Sequence, residues 1–178
     1  MDSGKSDNLT AAFIEHTAVI RVERRGSFKI STPLKQFIHH VVDTHSASRI
    51  WLDMSDCTGM DSTFMGVVAG LACLIKSRSS FSFKLLNLSE KNQKLLTTLG
   101  VDRVVDYSMT ATDEEKSILS RQEKEAEPLE PDSASKLEAA ETTLEAHKTL
   151  VDINPENLPK FKSVLEFLRE DVHNLHQE

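Results

Sequence analysis

Trp51-Leu52-Asp53-Met54-Ser55-Asp56-Cys57-Thr58-Gly59-Met60-Asp61-Ser62-Thr63-Phe64-Met65-Gly66-Val67 is the stretch whose reading decides the fold. With Arg49 and Ile50 before it, the start of this run is apolar on both faces, as expected of a strand at the centre of a sheet. Asp61-Ser62-Thr63 then opens a helix that runs to about Lys76, because short oxygen-bearing side chains can satisfy the free N–H groups of a first turn. Phe64 to Ile75 is almost wholly apolar, which predicts a buried helix. It is too short for a bilayer, which takes about 20 apolar residues. Gly66 and Gly70 interrupt it, and their spacing is read as close approach of this helix to the sheet.

Working outward, Phe13-Ile14 and Ala18 to Val22 read as two short strands joined at the polar Glu15-His16-Thr17 turn. Ser31-Thr32-Pro33 reads as a helix start, followed by Leu34, Phe37, Ile38, Val41 and Val42 on one apolar face. Beyond the central stretch, Phe81 to Leu88 is a strand, and Ser89 to Leu99 is a helix stopped by Gly100. Val104 to Tyr107 is a last short strand. The order ββαβαβαβ predicts an α/β fold, a mixed sheet with helices packed against it.

The flanks differ in character. Residues 1–10 are polar and read as disordered. Residues 1–110 carry a net charge of +2 and residues 111–178 a net of -9, so the chain's acidity belongs to its C-terminal third. Segment 111–135, with Pro128 and Pro131, reads as a solvated acidic helix fading into a linker. Residues 136–178 read as a C-terminal helical hairpin. Its first helix has Leu137, Ala140, Leu144 and Val151 on one stripe, and Asp152-Ile153-Asn154-Pro155 breaks it. The second has Leu158, Phe161, Leu165, Leu168, Val172 and Leu175 in steps of three and four. Folding back on itself, packing on the domain, and forming a homodimer through these helices all remain open. On this reading residues 11–110 form a domain that folds without the tail.

The central stretch resembles the STAS domain of bacterial anti-sigma factor antagonists, in which a strand ending in a D-x-S-like segment leads to an M-D-S-S/T-x-x-G loop. The resemblance spans residues 11–108 and includes the Leu99-Gly100-Val101 break before the last strand. It implies that Ser62 is the phosphorylated residue, with Thr63 as the alternative, and that Asp61 is the acid preceding it. Gly66 corresponds to the small residue of the first helical turn. The partner face would comprise Asp56, Thr58, Asp61, Ser62, Thr63 and Phe64. Phe64 departs from the pattern, since many members have glycine there; its bulk would serve either the core or an apolar contact. The implied partners are a GHKL-type serine kinase acting as anti-sigma factor and a PP2C-type phosphatase, in a cytoplasmic, bacterial setting.

Residue chemistry supports the same site. A serine at a strand-to-helix junction lies within reach of water and of a partner, and phosphorylation adds about -1.5 to -2 charge. The helix dipole tolerates that charge, so its effect falls on binding more than on folding. As a plain alternative, Ser62 would only cap the helix.

Asp53, Asp56 and Asp61 read as loop-capping acids rather than a metal cage. Cys57 and Cys73 have neither disulfide spacing nor a His–acid constellation, so no nucleophile, catalytic residue or cofactor is expected. The acidic balance argues against nucleic acid, and no apolar run argues for a membrane segment. The competing functions are a scaffold or adaptor that assembles through the C-terminal helices, and a STAS module that binds a nucleotide or lipid beside the Ser62 loop.

Overall fold

Alternation along the central strand explains the layers. In the computed structural model, which describes residues 6–129 and 134–178, Ile50 and Leu52 point to one side of the sheet and Trp51 to the other. Both sides are covered, which is why the strand reads as apolar throughout.

The chain opens with β1 (Asn8–Ile14) and β2 (Thr17–Gly26), an antiparallel hairpin whose Glu15 and His16 turn has φ of 49° and 63°. Positive φ at both central residues matches the right-handed twist of the paired strands. Helix α1 (Phe28–Thr44) follows, then β3 (Arg49–Asp53), β4 (Cys57–Met60), α2 (Ser62–Lys76), β5 (Ser82–Leu86) and α3 (Glu90–Leu99). A short 3-10 turn leads to β6 (Asp106–Tyr107), α4 (Asp113–Glu125) and β7 (Glu127–Pro128). Helices α5 (Lys136–Ile153) and α6 (Leu158–Leu175) close the chain. The sheet order is β6-β5-β3-β2-β1-β7, with β4 pairing the end of β2. Strands β2, β3, β5 and β6 run parallel, and β1 is antiparallel to both of its neighbours.

The mixed α/β sheet and its C-terminal helical extension match the sequence reading, with four differences that have physical causes. Residues 8–10 are not loose but lie in β1, where Leu9 is buried. The expectation for residues 1–5 lies outside the described residues. Helix α1 starts before Ser31, because its free N-terminal Phe28 amide finds a distant acceptor, Asp61 Oδ2, at 2.7 Å. Cys57 to Met60 forms β4 rather than open loop, held by Asn92 Nδ2, which donates to the Cys57 carbonyl at 2.9 Å.

The fourth difference is the largest. Helix α4 is not a solvated helix. Ile118 and Leu119 cover the second side of the sheet, burying Ile14, Val19, Trp51 and Leu86. A Thr112–Glu115 capping box starts it, and Glu115 accepts from Lys84 of β5 at 2.7 Å. β7 then adds to the edge at β1. Packing on the sheet therefore does not end at residue 110. The acidic composition hid a helix with only one narrow apolar stripe. The expected linker residues 130–133 lie outside the described residues.

The hairpin of α5 and α6 packs on its own chain. Leu144, Leu165 and Leu168 form a small core between its helices, while Ala146 and Leu150 join the main core. Buried Asn157, at the bend, donates to the carbonyls of Leu99 at 2.9 Å and Leu150 at 2.8 Å.

Candidate functional site

Asp61 organises the start of α2. Its Oδ1 accepts from Phe64 N at 2.9 Å and its Oδ2 from Phe28 N, so one carboxylate caps α2 and α1 together. Its own N–H donates to the Gly26 carbonyl at 2.8 Å. Two helix starts are thus locked to one residue, and both dipoles favour the negative charge there.

Ser62 is the first residue of α2 and is partly exposed. Since Asp61 is the cap, the Ser62 hydroxyl is not. It lies 2.9 Å from His147 Nε2 of α5. The other ring nitrogen, Nδ1, lies 2.8 Å from the Thr143 carbonyl, which can only accept. In the neutral ring Nδ1 therefore carries the proton, and Ser62 donates to Nε2. Phe161 of α6 meets the imidazole edge-on, with ring centroids 5.0 Å apart.

Around this point, Asp56 and Thr58 are exposed. The Thr58 hydroxyl donates to the Arg24 carbonyl at 3.0 Å, and Lys91 Nζ donates to the Thr58 carbonyl at 2.8 Å. Thr63 and Phe64 are corrections. Thr63 is buried, and Phe64 is fully buried with its ring against Gly26, where a Cβ would lie 2.6 Å from the ring. Residues at the second and third positions of α2 turn inward because the helix lies flat on the sheet, so neither offers a surface to a partner.

The three acids considered together for a cation serve structural ends, Asp61 as a cap of two helices and Asp53 and Asp56 as partners of the same Arg21. Asp53 pairs with Arg21 at 3.0 Å and accepts from Ser55 N and Asn87, while Asp56 lies 3.7 Å from Arg21. Burial by itself lowers the Arg21 pKa, but its carboxylate neighbours outweigh this and hold it above the ordinary value. Burial raises the Cys57 thiol, which keeps it protonated. The groove of about 610 Å³ between α1, α5 and α6, lined in part by Lys35, His39, Glu141 and Lys148, includes no residue of the Ser62 loop.

His147 was missed by sequence reasoning. The signal was available, since it lies three residues beyond Leu144 on the stripe that ends at Val151. A histidine on such a stripe must find a polar partner when buried. Gly66 and Gly70 were read as approaching the sheet, but they face α5 instead. A Cβ on Gly66 would lie 2.4 Å from the Ala146 carbonyl oxygen, and one on Gly70 would lie 3.7 Å from Thr149 Oγ1.

This architecture, a mixed sheet with the helix after its central strand opening on Met60-Asp61-Ser62, is the STAS fold. Among solved structures, a Thermotoga maritima protein assigned as an anti-sigma factor antagonist matches with a TM-score of 0.51 and 20% identity, over 62% of this chain and 92% of that one. The anti-sigma factor antagonist SpoIIAA, in its unphosphorylated form, matches with a TM-score of 0.50 and 21% identity, over 64% of this chain and 97% of its own. A variant of RsbS from Moorella thermoacetica gives 0.51 and 15%, over 64% and 96%. No protein-family model and no curated protein matches the sequence. The neighbours are nearly exhausted by the match, whereas more than a third of this chain lies outside it. Among the described residues, no helix is long and apolar enough to cross a membrane.

Proposed function

We propose that this chain is a phosphorylation-switched binding protein of the anti-sigma factor antagonist type. The observation that carries the reading is the division of labour at the start of α2: Asp61 caps the helix, and the Ser62 hydroxyl is left without a capping role. With Ser62 unmodified, the surface around Asp56, Thr58 and Asp61 binds a GHKL-type serine kinase that also restrains a sigma factor. Phosphorylation of Ser62 by that kinase adds charge beside Asp61, and the complex is released by repulsion and by desolvation of the new dianion. A PP2C-type phosphatase resets the protein. The setting is cytoplasmic and bacterial.

The start of α2 itself tolerates the added charge, because a phosphate at the first residue of a helix is electrostatically favoured. Burial of Thr63 supports Ser62 over its neighbour as the acceptor. Phosphopeptide mass spectrometry on the protein isolated from its native cell tests the assignment. Modification at Ser62 is expected; a cell in which the kinase is active and Ser62 stays unmodified would overturn it.

A further inference from the structure

The face of α2 that carries Ser62 already has an occupant. Ser62, Gly66 and Gly70 follow one another along one side of α2 and meet His147, Ala146 and Thr149 of α5. This is a fitted helix–helix contact, since Gly66 permits an approach that no larger residue would. An ion pair between Lys35 of α1 and Glu145 of α5 borders it.

A seated α5 engages the Ser62 hydroxyl from one side, the side from which its proton would leave. Phosphoryl transfer forms a bond from Ser62 Oγ to the terminal phosphorus of the nucleotide and breaks the bond to the diphosphate, while a kinase base takes the hydroxyl proton. Here that proton is directed into His147, 2.9 Å away, and the ring behind it is fixed by Thr143 and Phe161. While α5 is seated, His147 holds the position that a kinase base would need in order to take that proton.

We propose that the α5–α6 hairpin is an intramolecular ligand of the Ser62–Gly66–Gly70 face of α2, which adjoins the exposed surface around Asp56 and Thr58, and that the Ser62 hydroxyl opens to a kinase only when the hairpin lifts off. The biological use of this device rests on the reading of Ser62 as the switch; the lifting itself does not. The tether is short. β7 ends at Pro128 and α5 begins at Lys136, a span of at most about 29 Å when extended. A hairpin held that close rebinds at an effective concentration on the order of millimolar, so an outside partner must outcompete it. Affinity for a kinase that engages this face is reduced by the fraction of molecules in which it is open. Once Ser62 is phosphorylated, the phosphoryl group takes the position of the imidazole, and α5 does not reseat in its present register.

Hydrogen exchange on the unmodified full chain tests this directly. Amides of α5 should exchange through an opening that leaves β2 and β3 protected, whereas exchange of α5 only together with the sheet would overturn the proposal. A second measurement reads access to residue 62. In the full chain with Cys73→Ser and Ser62→Cys, the new thiol is labelled with N-ethylmaleimide while buried Cys57 stays silent. Adding Gly66→Leu, or Leu165→Asp with Leu168→Asp, should raise the labelling rate about tenfold or more, as expected of a sub-global opening. Trp51 lies under α4 on the other side of the sheet and reports whether each variant remains folded. Unchanged labelling in both variants with native Trp51 emission would overturn the proposal. Should a variant unfold, exchange on the unmodified chain still decides. Neither measurement contains a partner, so failure here leaves the Ser62 switch standing, and failure of the switch leaves the lid standing.

Discussion

Replacing Gly66 with alanine separates the two possible roles of the α2 surface. In an exposed helix, Gly→Ala stabilises by about 0.8–1 kcal/mol, through a smaller entropy loss on folding. At Gly66 the added methyl would lie 2.4 Å from the Ala146 carbonyl oxygen, 2.7 Å from its carbon and 2.8 Å from its Cβ. Carbon atoms at optimal separation lie about 3.5–4.0 Å apart, so α5 must withdraw by roughly 1 Å. Overpacking of this kind costs about 1–3 kcal/mol, because the backbone carbonyl cannot rotate away as a side chain would. The same withdrawal stretches the Ser62–His147 bond beyond useful length, at about 0.5–1.5 kcal/mol. Subtracting the helix gain leaves a net loss of about 0.5–3.5 kcal/mol, centred near 2 kcal/mol, or a melting temperature lower by roughly 1–14 °C. Gly70→Ala is the control, since its methyl would meet Thr149 at an ordinary 3.7 Å and should be neutral or stabilising. Scanning calorimetry on the three proteins decides the matter. A Gly66→Ala protein that melts at or above the parent would refute the close docking of α5 on α2.

Two further outcomes follow from α4. A chain ending at residue 110 should bind hydrophobic dye and show red-shifted Trp51 fluorescence, whereas one ending at residue 129 should keep native emission, because Ile118 and Leu119 cover Trp51. Burial alone would raise the Glu115 pKa, but the Lys84 ammonium and the Thr112 backbone N–H outweigh it and bring the carboxyl below its ordinary value. A depressed carboxylate stabilises the fold above its unfolded pKa of about 4.3 and loses that contribution as pH falls through the folded value. Trp51 emission should therefore shift on acidification below that range, and Glu115→Gln should shift less over the same interval.

The parts of the fold that could be read in advance are those whose pattern is self-contained. The apolar strand Arg49–Asp53, the helix from Ser62 to Lys76 and the Gly100 stop each depend on neighbouring residues, and each lies where the sequence implies. What escaped depends on distant partners. Helix α1 begins early because Asp61, more than thirty residues away in sequence, caps it. The role of α4 was masked because Ile118 and Leu119 are two apolar residues in a charged helix, whose value appears only once the second side of the sheet needs a cover. At the site, Asp61 and Ser62 were legible from the loop motif. The inward turn of Thr63 and Phe64 was not, since it follows from how α2 lies on the sheet. Neither was the meeting of Ser62 with His147, 85 residues apart, because no local pattern specifies which helix a C-terminal hairpin will cover.

Under the proposed switch, charge on Ser62 decides partner binding. Because Asp61 holds the cap, Ser62→Ala leaves the start of α2 intact and removes only the bond to His147, whose unpartnered nitrogen costs about 1–3 kcal/mol and loosens the hairpin. Calorimetric titration of a GHKL-type serine kinase into the full chain, with Ser62 native, Ser62→Ala and Ser62→Asp, is the direct measurement. The alanine protein should bind as tightly as the parent or more tightly, and the aspartate protein at least about a hundredfold more weakly, a difference of roughly 3 kcal/mol. Affinity of the aspartate protein within a few-fold of the parent would contradict the account and leave Ser62 as no more than an anchor for α5.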